Sequence, residues 1–180
     1  MVATNAQSVE QKASQYLTFM LSGEIFAIGI LAIKEIIEYY TVTVVPMMPE
    51  CIRGVINLRG SVVPVIDLCA RLGRKSTPVD KRTCIVIAEF GTDNERQDVG
   101  VIVDTVKEVL DIPGTDIEPA PPFGAKIRTD FIEGMGKIDG RFVVILDINQ
   151  VLSIEQTSAI AAVATGAPAE PARPFADRMA

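Results

Sequence analysis

The sequence of 180 residues contains no histidine. Histidine is the side chain most often used as a general base at neutral pH and as a metal ligand. Its absence excludes Ser-His-Asp and Cys-His catalytic sites and the phosphate-accepting role of a histidine phosphotransfer protein. The motifs GxxxxGK[ST], GxSxG and HExxH are also missing. We therefore predict no catalytic residues.

Cysteine is scarce as well. Cys51, Cys69 and Cys84 are odd in number, far apart and form no CxxC pair. This favours reduced thiols in a cytoplasmic protein and argues against a metal site. The first residues are polar and lack the pattern of a signal peptide. The longest apolar run, IFAIGILAI, has nine residues, too few to span a bilayer. We expect a cytoplasmic location, no membrane insertion and no cofactor.

Basic residues are outnumbered, with 17 Lys and Arg against 23 Asp and Glu, a net charge of −6 and a pI near 4.7. This balance argues against a nucleic-acid partner. The basic segment 71–82 is interpreted as a solvated loop. Only 22% of the residues are charged, and the mean hydropathy is +0.31. Either much apolar surface is buried on both faces of sheets, or some is exposed for partners.

Alternation of apolar residues predicts strands joined by tight turns. YLTFMLSGEIFAIGI forms a hairpin pattern around a Ser-Gly turn, and VINL and SVVPVI flank a second turn at Arg59-Gly60. Pro64 lacks an N–H group, which places its strand at a sheet edge or at a bulge. Asp67 is predicted to cap a short helix, LCARL. The segment LAIKEIIEYY fits either a helical turn or a strand.

The second half of the chain repeats the plan of the first. FAIGILAIKEIIE (26–38) aligns with VGVIVDTVKEVLD (99–111), and RGVINLRGSVVPVIDL (53–68) aligns with EGMGKIDGRFVVILDI (133–148). The run GMGKIDG therefore belongs to a hairpin; its spacing, GxGxxxG, is also wrong for a dinucleotide-binding loop. Two matching blocks in the same order indicate an internal duplication.

The duplication predicts an all-β fold of two similar units, each of about five strands, over roughly residues 15–82 and 83–152. Short, twisted, glycine-punctuated strands favour small barrels. Neither unit is large enough to be comfortably stable alone, so we expect a shared interface, and strand exchange between the units is left open. Residues 1–14 are expected to be flexible. The Ala- and Pro-rich tail, 153–180, is expected to be disordered, with a short helix in SAIAAVA as the alternative.

Differences between the two copies single out residues that the shared fold does not require. Asn57 and Arg59 stand where the second copy has Lys137 and Asp139. Asp-Gly is a strong hairpin signal, whereas Arg-Gly is a poorer turn with an exposed guanidinium. Arg59 is thus a candidate contact residue, with a solvated arginine beside a turn as the alternative. Glu35 could orient it through an ion pair if their strands lie close together.

The run RGVINLRGSVVPVIDL, preceded by FAIGILAIKEIIE and followed by VGVIVDTVKEVLDIP, resembles the CheW family of bacterial chemotaxis adaptors. The resemblance extends over about residues 15–152. It implies two SH3-like five-stranded barrels and a non-enzymatic scaffold that couples the histidine kinase CheA to methyl-accepting chemotaxis receptors. In this family the hairpin tip of the receptor docks in the groove between the barrels, and the regulatory domain of CheA packs against the barrel ends.

The resemblance also assigns site residues, matched position by position. Those expected to contact the receptor are Ile33, Glu35, Gly54, Arg59 and Cys84. Those expected to contact the kinase are Val42 and Thr43. Val106 and Val109 are expected to support the same assembly, and weak self-association in receptor arrays is left open. Cys84 departs from the aliphatic residue that the family often carries there.

Two other interpretations are kept. The same adaptor role could serve a non-flagellar chemosensory pathway that governs surface motility or development, because the groove would look alike. A more remote alternative is an enzyme with a carboxylate site between the barrels, which would require converging acidic residues with perturbed pKa values.

Overall fold

The structure, a computed structural model, describes residues 14–76, 78–92, 94–120 and 129–152. The predictions for the flexible N-terminus up to residue 13 and for the tail 153–180 lie outside the described residues. The elements in chain order are β1 (Ser14–Leu21), β2 (Glu24–Gly29), β3 (Ile33–Glu38), β4 (Ile52–Leu58), β5 (Ser61–Asp67), α1 (Leu68–Arg71), β6 (Cys84–Thr92), β7 (Glu95–Val103), β8 (Thr105–Ile112), β9 (Ile117–Glu118), β10 (Ile132–Ile138), β11 (Arg141–Leu146) and α2 (Ile148–Leu152).

The strands form two barrel-like sheets. Barrel 1 has the order β3-β6-β7-β5-β4, and barrel 2 has the order β8-β1-β2-β11-β10-β9. In the sequence repeat, β3 corresponds to β8, β6 to β1, β7 to β2, β5 to β11 and β4 to β10. With these replacements, the strand order of barrel 1 is the same as that of barrel 2 without the short β9. Each barrel therefore takes its first hairpin, β1–β2 or β6–β7, from the opposite half of the chain. The boundary near residue 82 divides the sequence repeat, but the sheets exchange strands across it.

Each barrel closes in the same way. In barrel 1, the chain after β3 reaches β4, where Thr43 and Val55 exchange two backbone hydrogen bonds of 2.9 and 2.8 Å. In barrel 2, the chain after β8 forms β9, whose Glu118 pairs with Met135 of β10. Val55 and Met135 are matched positions of the repeat, so the closure belongs to the duplicated plan.

The hairpin turns follow the prediction. At Arg59-Gly60 the φ angles are 52° and 87°, and at Asp139-Gly140 they are 49° and 77°. Two successive residues with positive φ are typical of a type I′ turn, whose twist matches that of the flanking strands. Arg59 is therefore held at a tight hairpin tip by a glycine that accepts the left-handed conformation at no steric cost.

An edge or a bulge was predicted for the strand containing Pro64. The edge is wrong, because β5 lies between β7 and β4, and the bulge of this hairpin lies on β4, between Ile52 and Gly54. The ladder from β5 to β7 begins only at Val65. Pro64 thus precedes the part of β5 that needs an N–H group toward β7. The ambiguous segment after β2 forms a single 3-10 turn, Ile30–Ala32, and then continues as the strand β3.

Buried apolar side chains form three clusters. The largest lies between the barrels and draws Phe19 and Phe26 from barrel 2 and Val86 and Val101 from barrel 1. Each barrel also has a smaller interior cluster: Val42, Ile56, Val63, Val65, Ile85, Ile87 and Ile102 in barrel 1, and Tyr16, Ala27, Ile112, Val143 and Ile145 in barrel 2. Strands such as β6 are buried on both faces, which accounts for much of the high mean hydropathy.

The two short helices join the barrels. Asp67 caps α1 by accepting a hydrogen bond from the Ala70 N–H, as predicted. Arg71 of α1 donates from Nε to the Val151 carbonyl of α2 at 2.7 Å. Its guanidinium carbon lies 4.7 Å from the centre of the Phe131 ring. One arginine therefore binds the helix of barrel 1 to that of barrel 2.

We predict that Asp67→Asn lowers the free energy of unfolding at pH 7 by about 2 kcal/mol, because asparagine can still cap the helix but loses the charged hydrogen bond with Arg53. Burial alone would raise the pKa of Asp67, but hydrogen bonds from Ser76 and Arg53 outweigh it and hold the pKa below its ordinary value. This contribution is present above about pH 4 and is lost as the pH falls through the folded-state pKa. Urea unfolding at pH 7 and pH 3 measures it.

For Asp67→Asn, the loss should be largest at pH 7 and should shrink as the pH falls below about 4 towards the lowered folded-state pKa of the wild-type carboxyl. Asp139→Asn, at an exposed turn, is the control and should change little at either pH. An Asp67→Asn protein as stable as wild type at pH 7 would contradict the prediction.

Candidate partner-binding surface

Arg59 and Glu35 form a two-point ion pair. Arg59 Nη1 lies 2.6 Å from Glu35 Oε1, and Nη2 lies 2.9 Å from Oε2. The Arg59 side chain is 76% exposed and that of Glu35 is 25% exposed. The hydrogen bonds to Glu35, and then its charge, raise the pKa of Arg59 above its ordinary value. Both faces of the guanidinium remain available while its orientation is fixed.

The pair connects strands that are not neighbours in the ladder. Glu35 lies on β3 and Arg59 at the tip of the β4–β5 hairpin, and β3 and β4 are the two end strands of barrel 1. Contact between them requires the sheet to curl until its ends meet. Asn57, in contrast, serves the turn: its Oδ1 accepts a hydrogen bond of 2.9 Å from the Gly60 N–H.

Further charged residues, which the sequence interpretation missed, surround this pair. Lys34 Nζ lies 2.9 Å from Asp98 and 3.3 Å from Glu89. Arg96 lies 2.8 Å from the same Glu89. Hydrogen bonds to Asp98 and Glu89 raise the pKa of Lys34. The only local signal was the Lys-Glu pair repeated at Lys34 and in the second copy, because Glu89 and Asp98 are distant in sequence.

A depression of about 530 Å³ lies at this end of barrel 1. It is lined by Lys34, Glu35, Leu58, Arg59, Ser61, Val63 and Asp98. We call this surface the charged end of barrel 1. Its alternating charges with Leu58 and Val63 beneath them suit a partner that presents polar groups around a small apolar contact.

The structure places Ile33 and Cys84 against the core between the barrels. Ile33 pairs with Ala88 on β6, and both Ile33 and Cys84 are partly buried against that core. The Cys84 thiol donates to the Arg82 carbonyl at a sulfur–oxygen distance of 3.3 Å. Cys51, Cys69 and Cys84 form no disulfide.

Val106 and Val109 occupy the matched positions on β8. Val106 packs against the core between the barrels, as Ile33 does. Val109 is 46% exposed, and its counterpart Ile36 on β3 is 41% exposed. Each barrel therefore presents one apolar side chain that is anchored in the shared core and another that is open to solvent.

Gly54 is buried, and the structure assigns it a backbone role. Its φ angle is +152°, and a Cβ atom added there would lie 2.0 Å from the Thr43 carbonyl oxygen. Val42 is only 9% exposed and belongs to the interior of barrel 1, whereas Thr43 is exposed and pairs with Val55. Val44 and Met47, which the sequence interpretation missed, are 72% and 102% exposed.

Within residues 14–76, 78–92, 94–120 and 129–152, no group of three or more Cys, Asp or Glu side chains is placed to hold a metal ion. Over the same ranges, no helix is long and apolar enough to cross a membrane. The charged side chains at the charged end of barrel 1 are paired with one another.

Comparison with known proteins gives a consistent result. The CheW-like domain model matches residues 15–156. Chemotaxis protein CheW of Klebsiella aerogenes is 34% identical over 155 residues, covering 86% of this chain and 91% of the relative. Chemotaxis protein CheW of Bacillus subtilis is 38% identical over 142 residues, covering 78% and 88%. Protein FrzA of Myxococcus xanthus is 28% identical over 131 residues, covering 72% and 79%.

A solved structure agrees as well. The crystal structure of the scaffolding protein TtCheW from Thermoanaerobacter tengcongensis superposes with a TM-score of 0.72 at 34% identity, covering 79% of this chain and 90% of that protein. The prediction of an all-β fold of two SH3-like barrels is confirmed, and the chain belongs to the CheW family.

Proposed function

We propose that this chain is a non-enzymatic cytoplasmic adaptor that couples the histidine kinase CheA to the cytoplasmic tips of methyl-accepting chemotaxis receptors. The observation that carries the proposal is the exposed Arg59, fixed by two hydrogen bonds from its guanidinium to Glu35 at a hairpin tip. The family relationship supports it, because several relatives are named chemotaxis proteins and a similar solved structure is titled a scaffolding protein.

The receptor side of the proposal uses barrel 1. Glu35 and Arg59 provide the charges, and Ile33 and Cys84 provide apolar contact beside the core between the barrels. A receptor hairpin is a pair of amphipathic helices, and such helices bind apolar grooves with charged rims. Gly54 contributes indirectly, by allowing the chain at Thr43 to close the barrel. Val106 and Val109 support the same assembly from β8.

The kinase side uses the segment that closes barrel 1. Thr43 is exposed and Val44 beside it is largely open to solvent, whereas Val42 anchors the segment in the barrel interior. A partner barrel could therefore contact Thr43 and Val44 without disturbing the core. Separate receptor and kinase surfaces are what a coupling protein requires, because both partners must bind at once.

The test is reconstitution of kinase activity. Purified CheA and receptor-bearing membranes are mixed with and without this protein, and autophosphorylation of the kinase is followed. We expect strong stimulation that requires all three components. Binding to the isolated regulatory domain of CheA is measured in parallel. The receptor-coupling role would be contradicted if this protein bound the regulatory domain of CheA but did not stimulate autophosphorylation of the kinase with any of several receptor types.

The similarity to protein FrzA supports a second candidate, the same adaptor role in a non-flagellar chemosensory pathway. Repeating the reconstitution with a kinase and receptors from such a pathway separates the two. Stimulation restricted to the second set would select this candidate.

A further inference from the structure

One pair of matched positions in the two barrels carries side chains of opposite charge, Arg53 in barrel 1 and Glu133 in barrel 2. Both β4 and β10 have a bulge, at Arg53 and Glu133, where the ladder register shifts. In barrel 1 the facing strand, β5, ends at Asp67. In barrel 2 the facing strand, β11, is followed directly by Asp147. The Asp67 N–H donates to the Cys51 carbonyl at 2.7 Å, and the Asp147 N–H donates to the matched carbonyl of barrel 2 at 2.9 Å. The bulge and this backbone hydrogen bond are therefore common to both sites.

The side chains at these sites are not equivalent. In barrel 1, Arg53 Nη2 lies 2.7 Å from Asp67 Oδ2. In barrel 2, Glu133 places a second carboxyl group beside that of Asp147. Burial, and then the charge of Asp147, raise the pKa of Glu133. Among the described residues no ion pair forms at Glu133, whereas Arg53 supplies the cation at the matched position of barrel 1.

Glu133 and Asp147 line an open pocket of about 860 Å³ at this end of barrel 2. Asp111 contributes a third carboxyl group, and no Lys or Arg lies among the lining residues. The walls are otherwise largely apolar, including Tyr16, Ile30, Ala32, Leu146 and Ile148. Leu31, at the rim, is 99% exposed. The pocket thus combines negative charge with apolar walls and an exposed leucine at its rim.

We propose that this pocket docks a partner protein segment that inserts an arginine between Glu133 and Asp147, with apolar residues of the segment against Leu31 and Ile30. The incoming guanidinium takes the place that Arg53 occupies beside Asp67 in barrel 1. The pocket is separate from the charged end of barrel 1, so the inference goes beyond the coupling function.

The chemistry favours a guanidinium over a bare cation. A planar guanidinium can bond two carboxylates at once and is weakly hydrated, so it enters partly apolar sites more readily than an ammonium group. A metal ion would need oxygen ligands on all sides, and no three-ligand cluster is present in the described ranges. The apolar walls also match the residues that would flank an arginine on a protein segment.

The test uses the full chain labelled with ¹⁵N and two short probes. The first is the peptide acetyl-Ala-Leu-Arg-Leu-Ala-amide; the second replaces arginine with citrulline, which has the same shape and no charge. Titrations are followed by shifts of the backbone amides of Tyr16, Leu31, Glu133 and Asp147. We expect shifts at these residues, with binding of the citrulline peptide weaker by about fivefold or more.

Two variants complete the test. Glu133→Arg copies the sequence of barrel 1 and should fill the site from within, so the arginine peptide should lose its binding while the melting temperature rises. Glu95→Gln, at an exposed position on β7, removes a carboxylate elsewhere and should leave binding unchanged.

Equal binding of the two peptides, or shifts confined to the charged end of barrel 1, would overturn the proposal. So would self-association of the protein that Glu133→Arg abolishes, because the occupant would then be a second copy of this chain. Retained binding in Glu133→Arg would show that the carboxylate pair plays no part.

Discussion

Gly54→Ala is expected to lower the free energy of unfolding by about 4 kcal/mol, a large part of the stability of a domain of this size. An added Cβ would lie 2.0 Å from the Thr43 carbonyl oxygen, 2.7 Å from its carbon and 2.8 Å from Val42 Cγ1. Two of these atoms are backbone, so no rotamer change relieves the contact. The segment at Val42 and Thr43 must move away from β4.

That movement has two consequences. The hydrogen bonds between Thr43 and Val55 are lost, at about 1 kcal/mol each. Val42 leaves the interior of barrel 1, at about 2 kcal/mol for a buried aliphatic side chain. Gly54→Ala should therefore prevent the segment at Thr43 from pairing with β4 and closing barrel 1. The charged end of that barrel should then become disordered as well.

Gly134→Ala is the matched control, because Gly134 is the counterpart of Gly54 in barrel 2. There an added Cβ would lie 2.6 Å from the side-chain methyl Cγ2 of Ile117 and 3.1 Å from the Glu118 carbonyl oxygen. A side chain can turn aside, so the expected loss is about 1–2 kcal/mol. Urea unfolding of the three proteins measures both values.

The outcome also decides the role of Gly54 in coupling. Gly54 was predicted as a receptor contact. If Gly54→Ala failed to stimulate the kinase and its stability were not measured, the failure would be mistaken for the loss of a direct contact with the receptor. An unfolding free energy equal to that of wild type, together with lost stimulation, would restore the direct contact and contradict the steric argument.

The repeat made the fold predictable, because each copy carries the same strand pattern, Gly-containing turns and a capping aspartate such as Asp67. The strand exchange could not be fixed from sequence. β1 and β2 offer apolar faces that suit β3 or β8 equally well, and Ile33 and Val106 are interchangeable in type. Which hairpin joins which barrel depends on the connections and on the core between the barrels, to which all of these strands contribute.

The candidate site was predictable where the two copies differ. Arg59 stood out because the other copy has the ordinary turn residue Asp139. Its partner Glu35 could only be named conditionally, since the pairing depends on barrel closure. Glu89 and Asp98 were missed because they reach the site from the hairpin that the opposite half of the chain contributes. The Glu133 and Asp147 pair was overlooked because the two residues matter only together, across a hairpin.

Arg59→Glu is expected to reduce receptor-dependent stimulation of the kinase by roughly tenfold or more, because a charge at the proposed receptor-docking surface is reversed. Binding to the isolated regulatory domain of CheA should persist, since Thr43 and Val44 lie elsewhere. Asp139→Arg is the matched control: it reverses a charge at the equivalent hairpin tip of barrel 2 and should leave stimulation unchanged.

A double variant separates contact from closure. Arg59→Glu alone both removes a cation from the surface and breaks the pair with Glu35. Combining Glu35→Arg with Arg59→Glu restores an ion pair across the ends of barrel 1 with its polarity reversed. If Arg59 contacts the receptor, the double variant should be as stable as wild type yet fail to stimulate the kinase.

Full stimulation by the double variant would mean that the pair serves only to close the barrel, and would return Arg59 to a structural role. The same experiment at rising salt adds a second criterion. An arginine that meets a charged partner makes stimulation more sensitive to ionic strength in wild type than in Arg59→Gln, because exposed charges are screened within about 8–10 Å at physiological salt. A pair that acts only within the barrel predicts no such difference, since the surface met by the receptor would be unchanged.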